Sequence, residues 1–269
     1  MDLTKELNCV ITQAVQVSPI MKILRVKPEG WQFPSFEAGQ FVALGLPPDA
    51  ERCAEATKEH AETKPDRLIK RAYSISSASI DDVIEFYVTL VHSGNLTPRL
   101  FNLKIGDKVW MGKKAVGMFT LDEISSETNI VLVATGTGVA PYMSMLRSNA
   151  LKREGKIIVI HGAANSWDLG YSSELRLLAN MFDNFSYYPT ITEPGNEPSG
   201  WAGDTRFIEK IWESGLAKEK WGFAPSPDNT HVFLCGNPRM VTSMKELLAV
   251  DGFKEHKRKE PGQIHAEEF

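Results

Sequence analysis

The chain contains only three cysteines in 269 residues, Cys9, Cys53 and Cys235, and they lie far apart. No CxxC pair exists, so zinc ligation, a built-in iron–sulfur cluster and a disulfide framework are all disfavoured. Long apolar runs are missing too. No stretch reaches the roughly 18–20 residues needed to cross a bilayer. Neither charge sign dominates: 30 Lys and Arg face 34 Asp and Glu, for a net charge of −4. That balance gives no reason to expect a nucleic-acid or membrane partner. The opening "MDLTKELNCVITQ" has no basic, then apolar, leader pattern. His92 and His161 have no partner at ligand spacing, so no metal site is expected. A reducing cytoplasm is the expected location.

What the sequence does contain falls into two halves with different periodicities. The first is rich in short β-like runs: "NCVITQAVQV", "MKILRVKP", "GQFVALGLP", "KRAYSISS", "VIEFYVTLV" and "DKVWMGKKAVGMFTL". Six runs punctuated by Gly, Pro, Asp and Asn predict a small antiparallel barrel or sandwich. One helix-like interruption, "LTPRLFNL", has Pro98 near its start. In the second half, strand-like runs ("NIVLVAT", "KIIVIHG", "FSYYPTIT", "HVFLCG") alternate with amphipathic segments ("PYMSMLRSNALKRE", "SSELRLLANMF", "TRFIEKIWESGLAK", "RMVTSMKELLAV"). That order predicts a doubly wound parallel sheet covered by helices. The fold class expected is therefore β plus α/β, with domains at 1–124 and 125–269. Residues 47–67, "PPDAERCAEATKEHAETKPDR", are charged and out of place among strands. They read as an inserted, solvated surface loop without chemistry.

Three motifs carry possible chemistry. In "RAYS", strand alternation puts Arg71 and Tyr73 on one face and Ser74 on the other. An arginine suits bidentate phosphate binding and a tyrosine offers a flat ring, but an ordinary surface strand reads the same way. "TGTGVAPY" places Gly136 and Gly138 where a parallel strand turns toward a helix, with Pro141 following. Phosphates bind at such turns, though a tight turn needs glycine for backbone reasons alone. "FLCGNPRMV" repeats the arrangement at the last strand, where Cys235 is either buried filler or poised over a ligand.

Taken together, "RAYSIS", "FYVTLVHSGNLTPRL", "ATGTGVAPY", "LCGNPRM" and a short aromatic-ended tail, in this order and at these separations, closely resemble the bacterial branch of the ferredoxin–NADP reductase family. The resemblance covers nearly the whole chain. It implies an antiparallel FAD-binding β-barrel followed by a nucleotide-binding α/β domain. It also implies electron transfer between NADP(H) and a one-electron carrier such as ferredoxin or flavodoxin. By the same resemblance Arg71 grips the FAD diphosphate, Ala72 lies in the same segment, Tyr73 stacks on the isoalloxazine and Ser74 lies near flavin N5. Tyr87, Val88 and Thr89, with Asn95, Leu96, Thr97 and Thr137, match positions that line FAD. Gly136, Gly138 and Pro141, with Gly236, Asn237, Pro238 and Met240, match the seat of the nicotinamide nucleotide. Cys235 matches a cysteine beside the nicotinamide ring, so Ser74, Tyr73 and Cys235 are the expected catalytic set. Phe269 is expected to pack on the isoalloxazine or the adenine.

One departure bears on the nucleotide. Where the family usually holds the 2′-phosphate of NADP with arginines, this chain has Asn165 and, near Glu193, no arginine; Arg206 matches a remaining one. NADP(H) is the expected nucleotide, with NAD(H) as the alternative. Lys104, Lys108, Lys113 and Lys114 are either a docking face for an acidic carrier or plain solvated surface. Two other functions remain compatible with the scaffold: an NADH-preferring flavin reductase or oxygenase reductase component, and a non-catalytic flavin-binding sensor or relay subunit.

Overall fold

The computed structural model describes residues 2–215 and 221–268. The chain divides into two compact units, residues 1–120 with 140–148, and residues 121–139 with 149–269.

The first unit is built on six antiparallel strands: β1 (Cys9–Ser18), β2 (Met21–Pro28), β3 (Phe41–Leu46), β4 (Ile69–Ser74), β5 (Ile84–Thr89) and β6 (Lys108–Met111). They lie in the order β4-β3-β6-β1-β2-β5. Alternation turns Leu24 and Val26, Val42 and Leu44, and Phe86 and Val88 into a common apolar core. The sixth run is shorter than its hydrophobicity predicts. Gly112 and then Gly117, at φ +126°, break it after Met111. Helix α1 (Thr97–Asn102) adds Leu100 and Phe101 to the same core, with Pro98 in its first turn, where the missing N–H is harmless.

Helix α2 (Ala140–Ser148) also belongs to this unit. Its Arg147 donates to the buried Glu85 carboxylate at 2.6 Å, and Arg25 reaches the same group at 2.7 Å. Ser76 adds a third hydrogen bond at 3.2 Å. A buried carboxylate needs such partners, because an unpaired one is costly.

Residues 47–67 lie at the surface without helix or strand, and most of them are exposed. They form a strap docked on the 91–99 segment by long-range hydrogen bonds, among them Cys53 N–H to the Pro98 carbonyl at 3.0 Å and Thr57 N–H to His92 at 2.9 Å. Two of its charged residues, Arg52 and Glu59, have partners 40 positions away, His92 and Arg99, which spacing cannot reveal.

The second unit carries β7 (Asn129–Thr135), β8 (Ile157–Ala163), β9 (Phe185–Ile191), β10 (Thr230–Gly236) and β11 (Ile264–Glu268). All pairs are parallel and the order is β11-β10-β7-β8-β9, a doubly wound sheet as expected. Helices α3 (Ser172–Met181), α4 (Ile208–Glu213) and α5 (Pro238–Val250) accompany it. Ile208, Val241, Met244 and Leu248 pack on one sheet face with Val131, Ile158 and Val232. Part of the helix expected over 205–218 lies outside the described residues. The fifth strand, β11, is the main addition to the sequence reading, which saw only a tail. It pairs Phe233 with His265 and Cys235 with Glu267. No helix among the described residues is long and apolar enough to cross a membrane.

Candidate functional site

In the first unit, β4 pairs with β3 so that Tyr73 lies opposite Val42 and Arg71 opposite Leu44. The two side chains therefore share the core-facing side, as alternation predicts, but at its open margin. Tyr73 is half-buried against the apolar core, and burial holds its hydroxyl protonated well above neutral pH. Arg71 is exposed. Its guanidinium donates only to the neighbouring Lys70 carbonyl, at 2.8 Å, and has no carboxylate partner among the described residues. Arg25, Arg99 and Arg147, by contrast, are each paired with a glutamate. An unpaired guanidinium beside a half-buried ring fits a diphosphate joined to a flat heterocycle. Ser74 and Ala72 occupy the other face of the strand.

The remaining positions expected to line a flavin are also in this unit, except Thr137. Val88 and Leu96 belong to the apolar core. Tyr87 is buried, and the Thr89 hydroxyl lies 3.3 Å from the Met21 sulfur. The Asn95 amide donates to the Ala61 carbonyl at 2.8 Å, and the Thr97 hydroxyl faces Val91.

In the second unit the glycine turn after β7 meets the end of β10. A Cβ on Gly138 would lie 2.1 Å from the Cys235 carbonyl oxygen, so only glycine fits there. Gly236 adopts φ +137°, and a Cβ there would meet the Thr135 hydroxyl at 2.2 Å. That hydroxyl accepts from Asn237 N–H at 2.8 Å, and Asn237 in turn caps α5 by accepting from Arg239 N–H. Two glycine turns thus converge at the carboxyl ends of β7 and β10, where ligands of open α/β sheets bind. Thr137 is buried in the first turn, Pro141 is buried in α2, Pro238 opens α5 and Met240 packs in the apolar core.

His161 on β8 supports the first turn. Its Nε2 donates to the Gly136 carbonyl at 3.0 Å, which leaves Nδ1 to accept from the Tyr187 hydroxyl at 3.3 Å. Burial lowers its pKa to about 4, so the ring is neutral and its tautomer is set.

Cys235 is buried, and burial followed by the nearby Glu267 carboxylate raises its thiol pKa far above the ordinary value. It is a neutral thiol, not a nucleophile. Glu267 is the residue the sequence reading missed. Burial raises its carboxyl pKa to about 7, which makes it a proton-holding group near neutral pH. Alternation in "IHAEE" puts His265 and Glu267 on one side, a signal that would have required recognising the tail as a strand. Phe269 lies outside the described residues.

The loops after β8 and β9 are tied together. Asn196 donates to Asn165 at 3.1 Å, and Glu197 accepts from both the N–H and the hydroxyl of Ser166. Glu193 begins the second loop, where its N–H donates to the Ala164 carbonyl. Nearby, Arg206 is already neutralised. Asp204 accepts from its Nε at 3.0 Å, from its Nη2 and from its N–H at 2.8 Å, while the Tyr188 hydroxyl is a fourth donor, at 3.0 Å. The Arg206 hydrogen bonds foremost hold the Asp204 carboxyl down at about 2.

Residues 132–246 match the model of the oxidoreductase NAD-binding domain family. A flavodoxin/ferredoxin–NADP reductase of Buchnera aphidicola is 33% identical over 236 residues, covering 87% of this chain and 88% of that protein. The protein of the same name from Escherichia coli K12 is 32% identical over 77% of this chain and 76% of its own length. Among solved structures, a Neisseria gonorrhoeae ferredoxin NADP+ reductase with bound FAD and NADP superposes with a TM-score of 0.81. It is 24% identical, and the match covers 97% of both chains.

Proposed function

Because the chain belongs to the ferredoxin–NADP reductase family, we propose that it is an FAD flavoenzyme moving electrons between NADP(H) and a ferredoxin or flavodoxin. The observation that carries this reading within the chain is the pairing of an unneutralised Arg71 with the half-buried Tyr73 ring on one strand face. FAD, when bound, supplies the two-electron to one-electron conversion. The chain's own residues bind, orient and hold protons. Arg71 holds the diphosphate, Tyr73 supplies a stacking surface, and Ser74 offers a hydroxyl from the next position of the same strand. Gly138 and Gly236 let a nucleotide backbone come close to the sheet. Cys235 contributes a neutral, polarisable wall, and Glu267 takes up or gives a proton near pH 7.

Carrier docking is transient and involves Lys104 and Lys114. Lys108 is paired with Glu29, and Lys113 stands 5.9 Å from the Trp31 ring. The setting is the cytoplasm. A second reading concerns the nucleotide only: an Arg206 already held by Asp204 offers a 2′-phosphate little net charge, which favours use of NADH as well.

The test is direct. The purified protein should be yellow and reduce ferricyanide and a ferredoxin with NADPH. A yellow protein inert to both NADPH and NADH would leave only a sensor or relay role. Ser74→Ala should retain FAD yet slow flavin reduction in stopped flow, about tenfold if one positioned hydroxyl is worth ~1.4 kcal/mol in the transition state.

A further inference from the structure

The 47–67 strap engages one short stretch of chain with unusual completeness. Residues 92–95 form a turn between β5 and α1, and all four of its carbonyls are occupied. Thr57 N–H reaches His92 at 2.9 Å and His60 N–H reaches Ser93 at 3.3 Å. The Arg52 guanidinium donates to both the His92 and Gly94 carbonyls, at 3.2 and 3.3 Å. Arg99, buried at the start of α1, donates to Asn95 at 2.5 Å and also to Pro48 at the root of the strap. The Asn95 side chain returns a bond to Ala61.

One carboxylate links the two arginines. Glu59 lies 2.5 Å from Arg99 Nη1 and 3.8 Å from Arg52 Nε. Without it, two guanidinium groups would face each other across a partly buried space, and neither would hold its carbonyls firmly. Glu59 is therefore the keystone of the strap. With the carbonyl side of the turn fully used, the N–H groups of Ser93 and Asn95 have no acceptor among the described residues. Fixed N–H donors are what a diphosphate binds, and a turn held in place loses less entropy on binding.

We infer that the strap is a brace that pre-organises the 92–95 turn for FAD, and that Glu59, Arg52 and Arg99 are positioning residues for that cofactor. The inference rests on the flavin reading above and assigns to an inserted segment a role in cofactor retention. The brace acts through the turn and does not itself touch the flavin.

The experiment uses the full chain stripped of flavin and titrated with FAD, comparing wild type with Glu59→Gln and Arg52→Ala. Amide hydrogen exchange of residues 92–96 is followed in the flavin-free protein. Both variants should bind FAD at least tenfold more weakly and release it faster, with quicker exchange confined to the turn and strap. Arg52 makes the looser of the two ion pairs with Glu59, at 3.8 Å, so its variant decides the matter if Glu59→Gln fails to fold. Wild-type FAD affinity in the folded variants, or unchanged exchange at the turn, overturns the brace. A wild-type protein that takes up no FAD would instead sink the flavin reading. That failure is distinguishable because exchange of the turn is read without flavin.

Discussion

A carboxyl group that titrates near pH 7 has consequences both for rate and for stability. Glu267 has a folded pKa of about 7 against an ordinary 4.5, raised by burial. The folded state thus binds the extra proton between those values, and its stabilising effect is lost as pH rises from 4.5 through 7. Glu267→Gln should therefore be more stable than wild type at pH 8 in thermal melts, with the advantage vanishing below pH 5. Wild-type reductase activity should show an inflection near pH 7 that this variant lacks. Asp204 permits a second test. Asp204→Asn removes the charge that neutralises Arg206 and should raise the NADPH-to-NADH ratio of kcat/KM about tenfold, or ~1.4 kcal/mol. An unchanged ratio would place the 2′-phosphate away from Arg206. Neither effect could be read from the sequence. The burial that shifts Glu267 and the fork that binds Asp204 to Arg206 are facts of packing and rotamer, whereas the glycines and the "RAYS" alternation follow from local pattern.

Among the elements, β11 was the least legible and has the most distinctive anchoring. "IHAEE" is too short and too polar to announce a buried strand, and only its neighbours explain it. His265 stacks on Phe233 with ring centroids 4.2 Å apart, receives His256 at 4.6 Å and shares a 3.0 Å hydrogen bond with His231. Arg153 adds positive potential near His231. Burial foremost, with His256 and His231 beside it, lowers the His265 pKa to about 3, and His161 titrates at about 4. Groups depressed this way stabilise the fold above pH 6.5, and that stabilisation is lost as pH falls toward 3–4. His265→Phe should flatten the acid limb of a stability-against-pH curve between pH 6 and 4 while leaving the melting temperature at pH 8 within a few degrees. The other strands were readable because each is a branched or aromatic run bounded by turn residues, and β7 through β10 alternate with amphipathic helices. The strap escaped for the opposite reason. Arg52, Glu59 and Arg99 look like ordinary surface charges until the chain brings positions 40 apart together.

For the molecule as a whole, the near balance of charge leaves no strong uniform field, so the carrier docking proposed above would rest on a few lysines. The two-part organisation was visible in the sequence as a change of period. The assignment of α2 was not, because its amphipathic pattern looks the same whichever core receives it. That helix supplies Arg147 to Glu85, whose buried carboxylate otherwise keeps only Arg25 and Ser76 among its side-chain partners named above. Anyone recombining this chain with a relative should therefore not treat it as two consecutive blocks. A single crossover near residue 120 would furnish the barrel with a helix from the wrong parent. A double exchange that carries Ala140–Ser148 along with residues 1–120 should yield the better-folded hybrid, measurable as soluble yield and melting temperature. If the two hybrids behave alike, the Arg147–Glu85 pair is dispensable. The inheritable module of this fold is thus discontinuous in its gene, and its seams lie at 120, 140 and 148 rather than at one junction.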